Sequence, residues 1–239
     1  MKGFFHLHIN FIQINFVFQS TFNKSISKMN NREEHLDTLS EIRTLMERSS
    51  RCLSLSGMSG ISAGIIAILG AVAVSVYHGT GILSTAWERT YESGVKLNES
   101  TTLFYIGNAL VILVLAVSLS VFFTVRKARK NNLKAWDSTT KRMLVSLMIP
   151  LGTGGIFCLI LLMNWYTALI APSMLIFYGL ALVNASKYAI GNAEYLGIAE
   201  IVLGLVSMFY PGWGLLFWMI GFGVLHIIYG IYMYLKYEK

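Results

Sequence analysis

Charge is scarce in this sequence. Asp, Glu, Lys and Arg make up 13% of its 239 residues, about half the usual share of a soluble domain, which is about 25%. Hydrophobic residues make up 55%. So little charge combined with so much apolar material excludes a disordered chain, and a soluble domain of this size would struggle to cover that apolar surface. Cysteine is nearly absent. Cys52 and Cys158 alone supply neither a disulfide framework nor a zinc pattern, and they lie at different depths of the expected fold. Catalytic signatures are missing as well: there is no HExxH, no GxSxG, no phosphate-binding glycine loop and no pair of intramembrane carboxylates. The chain is therefore read as a non-enzyme without cofactor or metal. Acidic residues are the rarer charged class, 12 against 19 Lys and Arg, for a net charge of +7. In a soluble protein that excess would suggest nucleic acid, so the placement of the positive charge has to decide.

What the sequence has in quantity is long apolar runs. A helix needs about 20 mostly apolar residues to cross roughly 30 Å of hydrocarbon. Six segments qualify, at 53–77, 103–125, 143–163, 165–185, 193–210 and 213–235. The expected fold class is an all-α integral membrane protein, a bundle of six transmembrane helices. The fourth and fifth segments are the weakest, because Pro172 interrupts one and Glu200 sits in the other. Charge then gives orientation. Residues 126–142 hold Arg126, Lys127, Arg129, Lys130, Lys134, Lys141 and Arg142 against Asp137 alone, whereas the loop 78–102 has Arg89 and Lys96 against Glu88, Glu92 and Glu99. The positive-inside rule places the first in the cytoplasm and the second outside. With six spans both termini are cytoplasmic, in what is expected to be the bacterial inner membrane. Only Trp136 interleaves aromatic character with the basic loop, so anionic lipid headgroups, not nucleic acid, are its expected partners.

Outside the spans the signals are local. Residues 1–30 form a leader of doubtful structure. Phe5, Leu7, Ile9 and Phe11 alternate with His6, His8 and Asn10, no signal-peptide cleavage site follows, and Met29 is an alternative start. In 31–52, Asn31 and Glu34 resemble a capping box, and Leu36, Leu39, Ile42, Leu45 and Met46 form one stripe of a cytoplasmic amphipathic helix. That helix lies on the bilayer or bundle, or docks a partner through 31–50. The membrane domain occupies 53–235, and 236–239 are a cytoplasmic tail. Asn98-Glu99-Ser100 in the outer loop matches a glycosylation pattern of low specificity.

The even-numbered spans share a pattern. Leu103-Phe104-Tyr105-Ile106-Gly107 is similar to Ile176-Phe177-Tyr178-Gly179 and to Leu216-Phe217-Trp218-Met219-Ile220-Gly221, with Ile112, Asn184 and His226 falling at one equivalent position. This points to three tandem two-helix hairpins. Small residues suit close helix approach in lipid. Gly60 and Gly64 form a GxxxG pair, and Gly214 with Gly221 and Gly223 with Gly230 repeat at seven, so these glycines are expected at helix contacts or at a homo-oligomer interface. In the last hairpin, Gly197-Ile198-Ala199-Glu200-Ile201-Val202-Leu203-Gly204-Leu205, then Phe209-Tyr210-Pro211-Gly212-Trp213-Gly214, then Gly221 and Gly230, resembles the repeat of the HdeD-like acid-resistance membrane proteins. The likeness covers about 40 residues, fades in spans three and four, and departs further in the first hairpin, where a long loop replaces the Pro-Gly turn. It implies six helices in two-helix repeats and an association with acid stress, and it carries no catalytic residue across.

Glu200 is the one acidic residue well inside a span. An ionised group there costs about 2.5–3.5 kcal/mol on insertion scales, so a partner is required. His226 is the expected one. Counted from the Pro211-Gly212 turn, their depths differ by only about 4–5 Å on adjacent antiparallel helices. Such a pair could sense or relay protons, or act as a static clamp. Asn108, Asn164 and Asn184 are expected to be interhelical glue. Three functions follow as expectations. The first is a non-enzymatic inner-membrane protein of acid or envelope stress. The second is a small transporter or channel with a proton-sensitive Glu200/His226 site. The third is an adaptor docking a partner through 31–50.

Overall fold

The computed structural model describes residues 56–81, 97–131, 136–188 and 193–238, together with Leu39. The chain divides into two compact units, Met1–Arg51 and Cys52–Lys239. The expected leader and, apart from Leu39, the expected amphipathic helix lie outside the described residues, as does most of the outer loop. Everything below concerns the second unit.

The described residues there are helical and contain no strand: α1 Gly57–His78, α2 Glu99–Lys130, α3 Ser138–Met163, α4 Ile170–Ser186 with a 3-10 lead-in at Thr167–Leu169, α5 Ala193–Ser207, and α6 from Gly214 to Tyr237. Five of these, with α4 counted from Thr167, are long and apolar enough to cross a membrane. The fifth in order, α5, has 15 residues and rises about 22 Å. The helix ends follow ordinary capping chemistry. Gly79 takes the left-handed conformation (φ 62°) and its N–H closes α1 on the carbonyls of Ser75 and Val76. Asp137 accepts the Ser138 N–H at 2.5 Å to open α3. Lys127, Arg129 and Lys130 fill the last turn of α2, where the helix dipole favours cations. Pro172 sits in the first turn of α4, where it costs least. Most of the surface is apolar. In α2 only Ala128 is buried, while Leu103, Leu110, Leu113, Val117 and Phe122 face outward, as suits a helix in lipid and not in water.

Two pairs of helices approach through glycine. In the antiparallel pair α1/α6, a Cβ at Gly64 would stand 2.6 Å from the Gly223 carbonyl oxygen, and one at Gly230 would stand 2.6 Å from the Ile61 nitrogen. Gly60 lies on the same seam, 3.1 Å from the Gly230 Cα by the same measure. In the antiparallel pair α4/α5, a Cβ at Gly179 would meet the Gly197 carbonyl oxygen at 2.5 Å, and one at Gly197 would meet that of Gly179 at 2.7 Å. Contacts this close leave no room for any other residue. The glycines of α6 divide between two neighbours. Gly223 and Gly230 face α1, while Gly214 and Gly221 face Ala171 and Leu175 of α4.

The remaining pairs are tied by polar side chains. Asn108 donates to the Gly70 carbonyl at 3.3 Å and joins α2 to α1. Asn184 answers a defect in α3. Pro150 lies inside that helix and has no N–H to give the carbonyl four residues back, which belongs to Ser146. The Asn184 amide donates to that carbonyl at 2.8 Å, and the Ser146 hydroxyl donates to the Asn184 carbonyl at 3.2 Å. A neighbouring side chain thus restores the bond that proline removes. Asn164 bonds its own helix at Ile160, and among the described residues its side chain makes no hydrogen bond to another helix.

Asn184→Ala is expected to lower thermal stability in detergent by about 1–3 kcal/mol, the cost of an orphaned buried carbonyl. Pro150→Ala restores the missing N–H, so the same Asn184 substitution should cost at least about 0.5 kcal/mol less in that background. An equal cost in both backgrounds would show that Asn184 does not serve the proline.

Candidate functional site

The strongest concentration of buried polar groups lies where α4, α5 and α6 meet. Glu200, on the inner face of α5, has no solvent exposure, and neither of its carboxyl oxygens has a hydrogen-bond partner. Nδ1 of His226, on α6, stands 3.4 Å from Oε1. The sequence expectation paired these two residues from depth alone, and the structure places them side by side. The imidazole is itself 6% exposed and held at both nitrogens. Nδ1 lies 3.0 Å from the Gly221 carbonyl oxygen and Nε2 lies 2.7 Å from the Tyr178 hydroxyl. A carbonyl can only accept, so Nδ1 carries a proton. In the neutral ring Nε2 then accepts from the Tyr178 O–H.

This geometry depends on a break in helical regularity. Between Gly214–Trp218 and His226–Tyr237, the segment Met219–Leu225 is a π-helix. In an α-helix, residues five apart lie about 140° apart around the axis. In a π-turn, bonded i to i+5, they stack. Gly221 and His226 are five apart, so the π-turn puts both on the face toward Glu200. Gly221 must also be bare: a Cβ there would stand 2.5 Å from Oε2 of Glu200. The same segment lies where α6 passes from offering glycine to α4, at Gly214 and Gly221, to offering it to α1, at Gly223 and Gly230.

Around the polar centre the walls are aromatic. Phe222 packs on Tyr178 with ring centroids 5.0 Å apart and on Trp218 at 5.2 Å. Leu175, with no exposure, closes the side next to Gly221. Such walls exclude water and strengthen the electrostatics inside. Chemically, the cluster can take up a proton at two places, the Glu200 carboxylate or Nε2 of His226. When Nε2 is protonated it becomes a donor, and the Tyr178 hydroxyl must turn and accept. A proton bound at Nε2 therefore reverses a hydrogen bond between α4 and α6. Among the described residues no three His, Cys, Asp or Glu side chains gather as a metal site would need.

Asn108 and Asn184 are not part of this centre; they tie α2 to α1 and α4 to α3. Tyr178 is the member that sequence reasoning missed. The likeness of Phe104-Tyr105 to Phe177-Tyr178 was the available signal, and the Tyr105 hydroxyl also meets a histidine, His78 Nε2, at 2.8 Å. Glu238 was missed too. It lies in the tail, yet it bonds the start of α1 and Lys127. Comparison of the chain with models of known protein families, with curated proteins and with solved structures finds no match.

Tyr178→Phe removes the partner of a buried ring nitrogen. It is expected to cost about 1–3 kcal/mol of stability and to move the nitrogen-15 resonance of His226 Nε2. An unchanged unfolding midpoint together with an unchanged resonance would count against the hydrogen bond.

Proposed function

We propose that the chain is a non-enzymatic protein of the bacterial inner membrane that registers protons at Glu200, His226 and Tyr178 and serves the response to acid or envelope stress. One observation carries this reading: a carboxyl group with no exposure and no hydrogen-bond partner, 3.4 Å from a buried imidazole. Ionisable groups in such surroundings are costly, and function is the default reason to keep them. The resemblance of 197–231 to the HdeD-like repeat supports the link to acid stress.

The proposed architecture has six spans, with α5 as the short fifth. Its antiparallel packing on α4, with Gly197 against Gly179 and Gly204 against Ile176 and Pro172, supports its place beside that helix in the bundle. The basic residues from Arg126 to Arg142 support a cytoplasmic position for the α2–α3 connection and for both termini, with anionic headgroups as their neighbours. A second reading, a transporter or channel, is favoured by the chain of contacts from Glu200 through His226 to Tyr178, which crosses three helices and offers protons a route.

Glu200→Gln keeps the shape of the side chain and removes its charge. The substituted protein is expected to accumulate normally while acid survival of cells carrying it changes. Unchanged survival across pH would sink the proposal. In proteoliposomes loaded with a pH-sensitive dye, a pH-driven flux lost in Glu200→Gln would select the transporter. Absence of flux in both proteins would select the sensor.

A further inference from the structure

Besides Glu200, two buried hydroxyls stand without partners. Ser207, at the end of α5, is 2% exposed, and Thr167, in the lead-in to α4, is 4% exposed; neither hydroxyl has a hydrogen-bond partner. A serine within a helix can bond back to a carbonyl one turn earlier, and Ser207 does not. Buried polar groups are almost always satisfied by protein or by ordered water. Glu200 has the same need at both carboxyl oxygens.

The placement of Ser207 links it to Glu200. The two residues share one face of α5, with a rise of about 10 Å between them. On α6, Gly221 lies against the carboxyl, and Gly214 lies one step of the same length nearer the Pro211-Gly212 turn, level with Ser207. A Cβ at Gly214 would meet that of Ala171 on α4 at 3.3 Å, so this stretch is lined by short side chains. The two ends of the junction differ. Toward the turn, α4 with its lead-in and α5 bury the hydroxyl residues Thr167, Ser173 and Ser207. Past Tyr178 they bury Ala181, Leu182, Ala185, Ala193 and Leu196, and the Gly179–Gly197 backbone contact closes the seam. The titratable groups facing the carboxyl are His226 on α6 and, through its imidazole, Tyr178 on α4, with Tyr229 of α6 within electrostatic reach of Tyr178.

We propose that Ser207 and Glu200 hold a short file of water between α4, α5 and α6, and that protons reach the Glu200 carboxylate along it from the Pro211-Gly212 end. About three hydrogen-bonded waters cover the interval. The Ser207 hydroxyl accepts a proton from the water before it and donates its own to the next, so it ends unchanged. The last water gives a proton to a Glu200 oxygen and regains one from behind, and the carboxylate becomes a neutral acid. Ser207 is thus a positioning residue for the proton centre. The route rests on the proton reading proposed above and adds the side from which the centre is charged.

The test follows the infrared carbonyl band of protonated Glu200 in the full chain, identified by its loss in Glu200→Gln. After a drop in pH, Ser207→Ala is expected to slow the growth of this band by at least about tenfold, as for a lost hydrogen bond in the rate-setting step, with the titration midpoint unmoved. Ser207→Thr keeps the hydroxyl and should keep the rate. Equal rates in wild type and Ser207→Ala overturn the role of Ser207, and so does a shift of midpoint without a change of rate. A second measurement leaves Ser207 in place and so does not depend on how its variants fold. In sealed vesicles, labelling of Tyr210→Cys by an impermeant maleimide, with Cys52 and Cys158 changed to Ser, identifies the face that carries the turn. Acid added on that face should raise the band at least about tenfold faster than acid added on the other. An equal or opposite preference overturns the route while leaving the proton centre standing. Absence of the band at every pH defeats the proton reading itself, and the route with it.

Discussion

At Gly179 and Gly197 the carbonyl of each helix occupies the space that a side chain on the other would need, and Gly64 and Gly230 make the same demand of α1 and α6. Helices in lipid gain little from hiding apolar surface from one another, so contact of this closeness has to supply the attraction. The rest of the bundle is arranged around it. α6 must serve α1 with one part of its length and α4 with another, and Gly221 and Gly223, two residues apart, point about 160° from each other on a helix. The π-turn at Met219–Leu225 lies where the glycines pass from one neighbour to the other.

The same turn creates the polar centre. It brings Gly221 and His226 to one side and leaves a bare backbone where the Glu200 carboxyl lies. Helix packing and proton chemistry therefore share a few residues. Whatever stiffens or regularises α6 in this region alters both, and a change of protonation at Glu200 or His226 acts on the contacts that hold α4, α5 and α6 together. Functional sites often use π-turns in this way.

Much of this was legible in the sequence, and the exceptions have physical causes. Five of the six apolar runs could be read as helices able to cross a bilayer, because length and composition alone decide that; their ends could not, since α2 and α3 run on into polar sequence beyond the expected limits. The pairing of Glu200 with His226 could be read because the Pro211-Gly212 turn fixes their depths. The role of Tyr178 could not, since nothing in the order of residues says that α4 passes beside α6 in parallel. The π-turn was hidden because depth counts assume 1.5 Å per residue throughout and do not report angle. The seven-residue spacing of Gly214 and Gly221 and of Gly223 and Gly230 suggested two faces, about 160° apart, without saying which helix each would meet. Asn184 was read as general glue. Its specific task needs Pro150 and Asn184 to be neighbours, which only the packing of α3 on α4 supplies.

The seam between α1 and α6 has a consequence for how the protein is made. Gly64 and Gly223 stand 159 residues apart in sequence, so the glycine face of α1 leaves the ribosome long before its match exists. Until the last helix enters the bilayer, that face must be shielded by lipid or by the insertion machinery. The α3/α4 pair, joined by a short turn and the Pro150–Asn184 contact, can form as soon as it is synthesised. Closure of the α1/α6 seam would then be a late step of assembly. Loss of α6 would therefore leave the glycine face of α1 exposed to quality-control proteases.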